Sequence, residues 1–319
     1  MVTKVFPDEP NYAHSTQHGT VDPLILNTEK GKKAIKVSFL GLAAIASVQV
    51  VIALISGSSA LLADTFHSLS DAVTAVPLWI AFSIANRKPD KRFTYGYGRA
   101  EDVAGLAIVF LILISALFAA YNAIILILEP ATIAYVEVVA IAGIVGFAGN
   151  EMIAQYRIRT GREIGSAALI ADGYHARTDG LTSLAVVLGA IGVWLGYPLA
   201  DPFVAILITL AILKVFWDSG KLVFGRLMDS VDPEVVDDIV HAIGHIEGVL
   251  EIADVKVRWI GHRMHAEITV AVDSGLSVSE GHDITIEVRE SLARHVTYLS
   301  GTTIHVEPLE AIGKCSLQV

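Results

Sequence analysis

The sequence predicts a polytopic α-helical membrane protein with six spans and a small polar α+β domain at its C-terminal end. Three observations carry that prediction. First, the 319 residues are 53% hydrophobic and only 18% charged, with a mean hydropathy of +0.58, whereas a water-soluble chain carries nearer a quarter charged residues. Second, long uncharged stretches recur as far as Leu213. Third, past Asp229 these give way to short segments of alternating polarity. A net charge of −10, from 33 acidic and 23 basic residues, excludes a nucleic-acid partner, whose phosphates need a basic face. The lone Cys315 closes no intrachain disulfide, so a disulfide-built secreted domain is excluded too. No cleaved signal peptide is expected, because no basic region followed by an apolar core opens the chain.

The elements follow in order. Crossing a bilayer takes about 20 largely apolar residues. Uncharged runs at Val37–Ala63, Ala72–Asn86, Val103–Leu128, Val138–Asn150, Gly180–Ala200 and Pro202–Leu213 seed spans over 34–56, 60–86, 101–128, 132–156, 164–192 and 200–218. Basic residues mark the cytoplasmic side. With the N-terminus inside, the inner loops hold Lys30, Lys32, Lys33 and Lys36, then Arg87 through Arg99, then Arg157, Arg159 and Arg162, and finally Lys214, Lys221 and Arg226. The outer turns near Gly57, Glu129–Pro130 and Gly196–Pro198 hold no Lys or Arg. Both termini are therefore expected in the cytoplasm. The chain divides into an N-terminal tail (1–30), a transmembrane domain (31–228), a cytoplasmic α+β domain (229–311) and a short C-terminal tail (312–319).

Within the cytoplasmic domain, Asp232-Pro233-Glu234 reads as a capped helix start, with Val236, Ile239, Val240 and Ile243 as its apolar face. Val255–Ile260 reads as a strand. Across a Gly261-His262-Arg263 turn, Met264, Ala266, Ile268, Val270 and Val272 alternate with other residues as the second arm of a hairpin. Ser277 and Glu280 form a capping box for a helix buried through Ile284, Val288 and Leu292. Thr302–Glu307 is a last strand. The α-β-β-α-β order gives a small open-faced sandwich of ferredoxin- or metallochaperone-like form.

Ionisable groups inside a span cost about 2.5–3.5 kcal/mol each on insertion scales and need a reason. The second span contains Ala63-Asp64-Thr65-Phe66-His67-Ser68-Leu69-Ser70-Asp71, and the fifth contains Ala171-Asp172-Gly173-Tyr174-His175-Ala176-Arg177-Thr178-Asp179. Both fit A-D-x-aromatic-H-x-x-x-D, and a Thr follows three residues on in each (Thr74 and Thr182). His and Asp four apart share one helical face. Two such faces opposed offer two imidazoles and two carboxylates, which suits tetrahedral zinc better than oxygen-seeking magnesium or calcium, or thiophilic copper(I). A hydrogen-bonded patch gluing two helices is the plainer alternative, and the duplication weighs against it. Asp64 and Asp172, one turn before the histidines, are candidate ion-path residues. Arg177 is expected to pair with an acid such as Asp172 or Glu151, or to face a wet cavity. Gln49 and Asn122 read as interhelical bonds, and Asn150 and Glu151 as further path candidates.

These residues, with the six spans and the α+β tail, resemble the cation diffusion facilitator family of metal-ion/proton antiporters over roughly residues 30–310. Gly57-Ser58-x-Ala60-Leu61-Leu62-Ala63-Asp64 and Tyr95-Gly96-Tyr97-Gly98-Arg99-Ala100-Glu101 support the resemblance. It implies that His67, Asp71, His175 and Asp179 are transport ligands. A histidine at the first ligand position points to the zinc branch, with cadmium or cobalt(II) tolerated and manganese or iron(II) as the nearest alternative. Some relatives hold a second metal between the second and third spans through one Asp and two His. Here Asp90 remains as a weak remnant, with Phe93 and Tyr97 in the histidine positions, so that site is expected to be absent or very weak. His282, His305 and Glu307 match a regulatory metal site of the tail, with two further histidine positions occupied by Ala253 and Thr269 and possible help from His262 or His265. His14 and His18 read as solvated.

The implied activity is secondary export. No G-x-x-x-x-G-K-[ST] phosphate loop occurs, so ATP is not the visible energy source. Moving a divalent cation out against 100 mV, inside negative, costs about 4.6 kcal/mol. Histidines titrate near neutrality and must be unprotonated to bind metal, so inward protons can be exchanged for outward metal at a rate of one or two per ion. No catalytic cofactor is expected; zinc is substrate and a possible regulator. A homodimer through the tail is expected, with Arg99 joining the two domains by pairing with Asp229 or Asp232, in the plasma (inner) membrane. An intramembrane metalloenzyme is disfavoured, because catalytic zinc keeps an open position and no H-E-x-x-H occurs. A membrane metal sensor without transport is the rival from another class.

Overall fold

A computed structural model of the chain describes residues 23–56, 75–128, 136–197 and 200–311. Six helices precede the tail among the described residues: α1 (Pro23–Ser56), α2 (Ala75–Ala85), α3 (Arg99–Leu128), α4 (Val136–Ile164), α5 (Ala167–Trp194) and α6 (Ala200–Leu227). The first part of the expected second span lies outside the described residues. Among those described, Asn27–Val51, Arg99–Ile125 and Pro202–Leu227 are long and apolar enough to cross a membrane. Their outer faces are unlike a soluble surface. Phe110, Ile114, Leu117 and Phe118 on α3, and Phe203, Leu207, Leu210 and Trp217 on α6, stand exposed. In water such stripes would be sticky, whereas hydrocarbon solvates them. The inner faces pack as a core through Ile108, Ile112, Ile208 and Ile212.

The expected boundary between the fourth and fifth spans needs correction. A loop around Arg157–Arg162 was expected, but α4 continues as helix to Ile164, and only Gly165 and Ser166 separate it from α5. Gly165 takes φ 74, a conformation that lets so short a turn reverse the chain. Arg157 therefore sits inside a helix and is 1% exposed. Apolar runs mark where lipid is, not where a helix stops, and Arg159 paired with Glu163 at 3.1 Å supports the extra turns.

The tail contains α7 (Pro233–Ile243), β1 (Glu251–Ile260), β2 (Arg263–Val272), α8 (Val278–His295) and β3 (Leu299–Pro308). The sheet order is β1-β2-β3, with β1 antiparallel and β3 parallel to β2. Met264, Ala266, Ile268, Val270 and Val272 are all buried, and the first four meet Ile239 and Ile243 of α7 and Val288 and Leu292 of α8 in one core. Both helices thus cover one face of the sheet. Val240, expected on the apolar face of α7, instead stands 41% exposed. The expected helix starts are present: Asp232 accepts from the Glu234 backbone N–H at 3.2 Å, and Ser277 and Glu280 exchange bonds of 3.3 and 2.7 Å. Replacing Ser277 with alanine leaves an α8 amide without its side-chain acceptor, so thermal denaturation should show a loss of about 1 kcal/mol in tail stability.

Candidate transport site and the membrane–tail junction

On α5 the helical repeat sets Asp172, His175 and Asp179 along one stripe. All three are buried, at 0, 4 and 8% exposure. His175 Nδ1 lies 4.0 Å from Asp179 Oδ1, so the imidazole and carboxylate expected as ligands are side by side. The Thr178, Thr182 and Ser183 hydroxyls donate to the carbonyls of His175 or Asp179, which ties their polarity to the helix itself. The matching His67 and Asp71, with Asp64, lie outside the described residues, as does the side chain of Asn122.

Asp172 is held by Arg157 of α4, Nη1 to Oδ2 at 3.0 Å, a partner placed by sequence reasoning in a loop. Of the two acids expected for Arg177, Glu151 is the one it meets, through bonds of 2.7 and 3.0 Å. Asn150 is buried on α4, and Gln49 is fully buried on α1. The Gln49 amide makes no hydrogen bond among the described residues, although an interhelical bond was expected.

In the loop between α2 and α3, Asp90 serves as a clasp. Its Oδ1 accepts from the Arg92 and Phe93 backbone N–H groups at 2.7 and 2.8 Å, and its Oδ2 from the Tyr97 hydroxyl at 2.5 Å. The Tyr97 bond, then the two amides, hold the Asp90 carboxyl below its ordinary value. The stabilisation is therefore present above the usual carboxylate range and is lost as pH falls through the lowered value. Tyr97→Phe should move the Asp90 titration upward, read by NMR of the labelled carboxyl, and should narrow the acid range over which the loop stays ordered.

In the tail, His305 Nε2 meets Glu307 Oε1 at 3.1 Å, and Thr269 lies opposite His305 in the ladder. Ile304 and Val306 turn into the core, so His305 and Glu307 occupy the opposite face of β3. His282 belongs to α8, on the core side. One protomer does not gather the three expected ligands into a metal-holding group. Among the described residues no three His, Cys, Asp or Glu side chains gather into a metal-holding group. His265, a suggested helper, packs beside Gly301 and edge-on to Tyr95.

The other suggested helper, His262, forms part of the junction between tail and membrane domain. It sits at the tip of the β1–β2 hairpin and is 2% exposed. Its Nδ1 meets Glu101 Oε1 at 2.5 Å and its Nε2 meets Thr28 Oγ1 at 3.3 Å, with the ring stacked 6.0 Å from Phe82. The Gly261 N–H donates to Asp102 Oδ2 at 3.2 Å. From α6, the Arg226 guanidinium lies 3.8 Å over the Trp259 ring. Arg99 meets Asp229 at 2.6 Å and donates to the Arg226 carbonyl at 3.3 Å. Asp232, the other partner considered, is occupied as the α7 cap. Sequence reasoning found Arg99 and Asp229 but missed Glu101, Asp102, Arg226 and His262. The one available signal was a pair of acids opening an otherwise apolar helix.

A helical membrane domain with an acid–imidazole stripe buried in it, joined by polar contacts to a small α+β tail, defines an ion-transport protein. Residues 35–228 match the cation efflux transmembrane domain and residues 231–309 the cation efflux protein cytoplasmic domain. The chain belongs to the cation efflux, or cation diffusion facilitator, family, whose members are transporters and not enzymes. The probable cation efflux system protein Rv2025c of Mycobacterium tuberculosis is 49% identical over 291 residues, covering 91% of this chain and 88% of the relative. The manganese efflux system protein MneP of Bacillus subtilis is 26% identical, covering 82% of this chain and 90% of the relative. A solved MamM C-terminal domain in a nickel form matches at 21% identity and a TM-score of 0.24, covering 24% of this chain and 98% of that one.

Proposed function

We propose that this transporter exports a divalent cation, zinc first, from the cytoplasm in exchange for protons by alternating access. The observation that carries the reading is the buried His175–Asp179 pair within α5. In the proposal it is completed by His67 and Asp71 from the repeated motif. Two imidazoles and two carboxylates suit a four-coordinate ion, and binding requires the imidazoles to lose protons, which couples the two flows. Cadmium and cobalt(II) share that ligand preference and are tolerated. In this reading both termini lie in the cytoplasm of a plasma-membrane protein, an orientation supported by the basic inner loops, and the tail joins two copies into a homodimer. His305 and Glu307 supply part of any regulatory zinc site there, with His282 contributed by a second copy.

Manganese is the second reading, favoured by the similarity to a protein named for manganese efflux. The test is a metal panel in proteoliposomes carrying an internal pH dye. Zinc should drive the largest proton movement, with cadmium and cobalt(II) behind it. A response to manganese or iron(II) above that to zinc transfers the assignment to the second reading. Saturable zinc binding with no flux in either direction rejects transport of zinc and favours a sensor.

A further inference from the structure

Two ion pairs cross between α4 and α5, and their polarity is opposed. Near the cytoplasmic end the cation is on α4 (Arg157) and the anion on α5 (Asp172). Deeper along the pair, the anion is on α4 (Glu151) and the cation on α5 (Arg177). Both pairs belong to one antiparallel register. That register is also set by backbone contact. A Cβ on Gly173 would stand 3.1 Å from the Ala154 carbonyl oxygen and 3.0 Å from the Ile158 nitrogen. One on Gly161 would stand 2.9 Å from the Ile170 nitrogen, and one on Gly143 would stand 3.0 Å from the Ser183 carbonyl oxygen.

Opposed polarity penalises sliding in both directions. A slide of roughly one and a half turns one way sets Arg157 beside Arg177, and the same slide the other way sets Glu151 beside Asp172. A shorter slide breaks both pairs and leaves the Arg157 charge buried without its counterion. That is costly, because removing the partner of a buried ion leaves its desolvation uncompensated. Nε and Nη2 of Arg157 already have no hydrogen-bond partner among the described residues, so Asp172 carries its compensation there. A buried pair is weak evidence for stability alone, and fixing a register is its best-attested use.

We propose that Arg157 and Glu151 are positioning residues that lock the register of α4 on α5, so the two helices move as one body during transport. This rests on the reading of His175 and Asp179 as ligands, since the locked pair is what carries them. Asp172 is thereby assigned to holding Arg157 and not to an ion path.

The test places a reversible crosslink across the pair. A Cβ at Gly146 would lie 3.4 Å from Ser183 Cβ and would meet side-chain atoms only, those of Ser183 and Gln49, a separation close to that of disulfides. In the full chain with Cys315→Ser, Gly146→Cys and Ser183→Cys should form a bond on oxidation, and the oxidised protein should keep its zinc uptake in proteoliposomes. In the same background, Glu151→Arg or Arg177→Glu alone should lower crosslink yield and reduce uptake on the order of tenfold. The exchange of both charges should restore both readouts. A crosslink that blocks uptake until reductant is added overturns the proposal, because α4 and α5 then move against each other. Unchanged crosslinking in the single reversals also overturns it, as does an exchange that restores neither readout. Asp179→Ala is measured alongside: retained uptake in that variant refutes the ligand reading, while the crosslink yields still report on the register.

Discussion

Asp179→Ala should abolish zinc-driven proton movement in proteoliposomes, with flux falling roughly a hundredfold or more, while the protein stays folded in the membrane. The carboxylate is 8% exposed and shares one helical face with His175. In the proposed site it supplies both a ligand and negative charge for a divalent ion held away from water, where charge compensation matters most. Alanine removes both and leaves the helix intact, because the Thr182 and Ser183 hydroxyls bond to the Asp179 backbone carbonyl and not to its side chain. Purified variant and parent are compared by internal dye fluorescence after a zinc jump, with thermal denaturation as the check on folding. Undiminished flux in the variant would reject Asp179 as a ligand.

Glu101→Ala should give the second-largest effect, on the attachment of the tail. Glu101 is 1% exposed and accepts from Ser166 at 3.3 Å while meeting His262 at 2.5 Å. Its removal takes the acceptor from one nitrogen of a buried imidazole and from a buried hydroxyl, a loss of about 3 kcal/mol. The expected signs are a lower unfolding temperature and faster proteolysis between Leu227 and Pro233. Replacing Glu101 and His262 together with leucine removes both buried polar groups, so the double variant should be more stable than Glu101→Ala alone. Additive losses would show that the two side chains act independently.

The residues that were legible in the sequence share a physical feature: their meaning is local. The repeated A-D-x-aromatic-H-x-x-x-D pattern puts His175 and Asp179 on one face through helix geometry alone. The β2 alternation and the Asp232 and Ser277 caps likewise need only a few neighbouring residues. The illegible part is long-range. Arg157 looked like a loop cation because nothing near it in sequence discloses Asp172 across the helix pair. Glu101 and His262 are 161 positions apart, and each is ordinary until the hairpin tip meets the membrane domain. His282 matched a tail motif by position, yet within one protomer it does not gather with His305 and Glu307 into a metal-holding group. Asp90 showed the reverse: the residue expected as a remnant metal ligand is occupied by its own loop.

Transport as proposed requires one ion shared between His175 and Asp179 of α5 and the matching residues His67 and Asp71. The most direct test is an anomalous-scattering map of the zinc-loaded protein, collected on both sides of the zinc edge. A peak is expected within ligand distance of His175 and Asp179, about 2 Å from the coordinating atoms, with its loss in Asp179→Ala. Zinc-transporting protein whose map shows peaks in the tail and none beside α5 would contradict it.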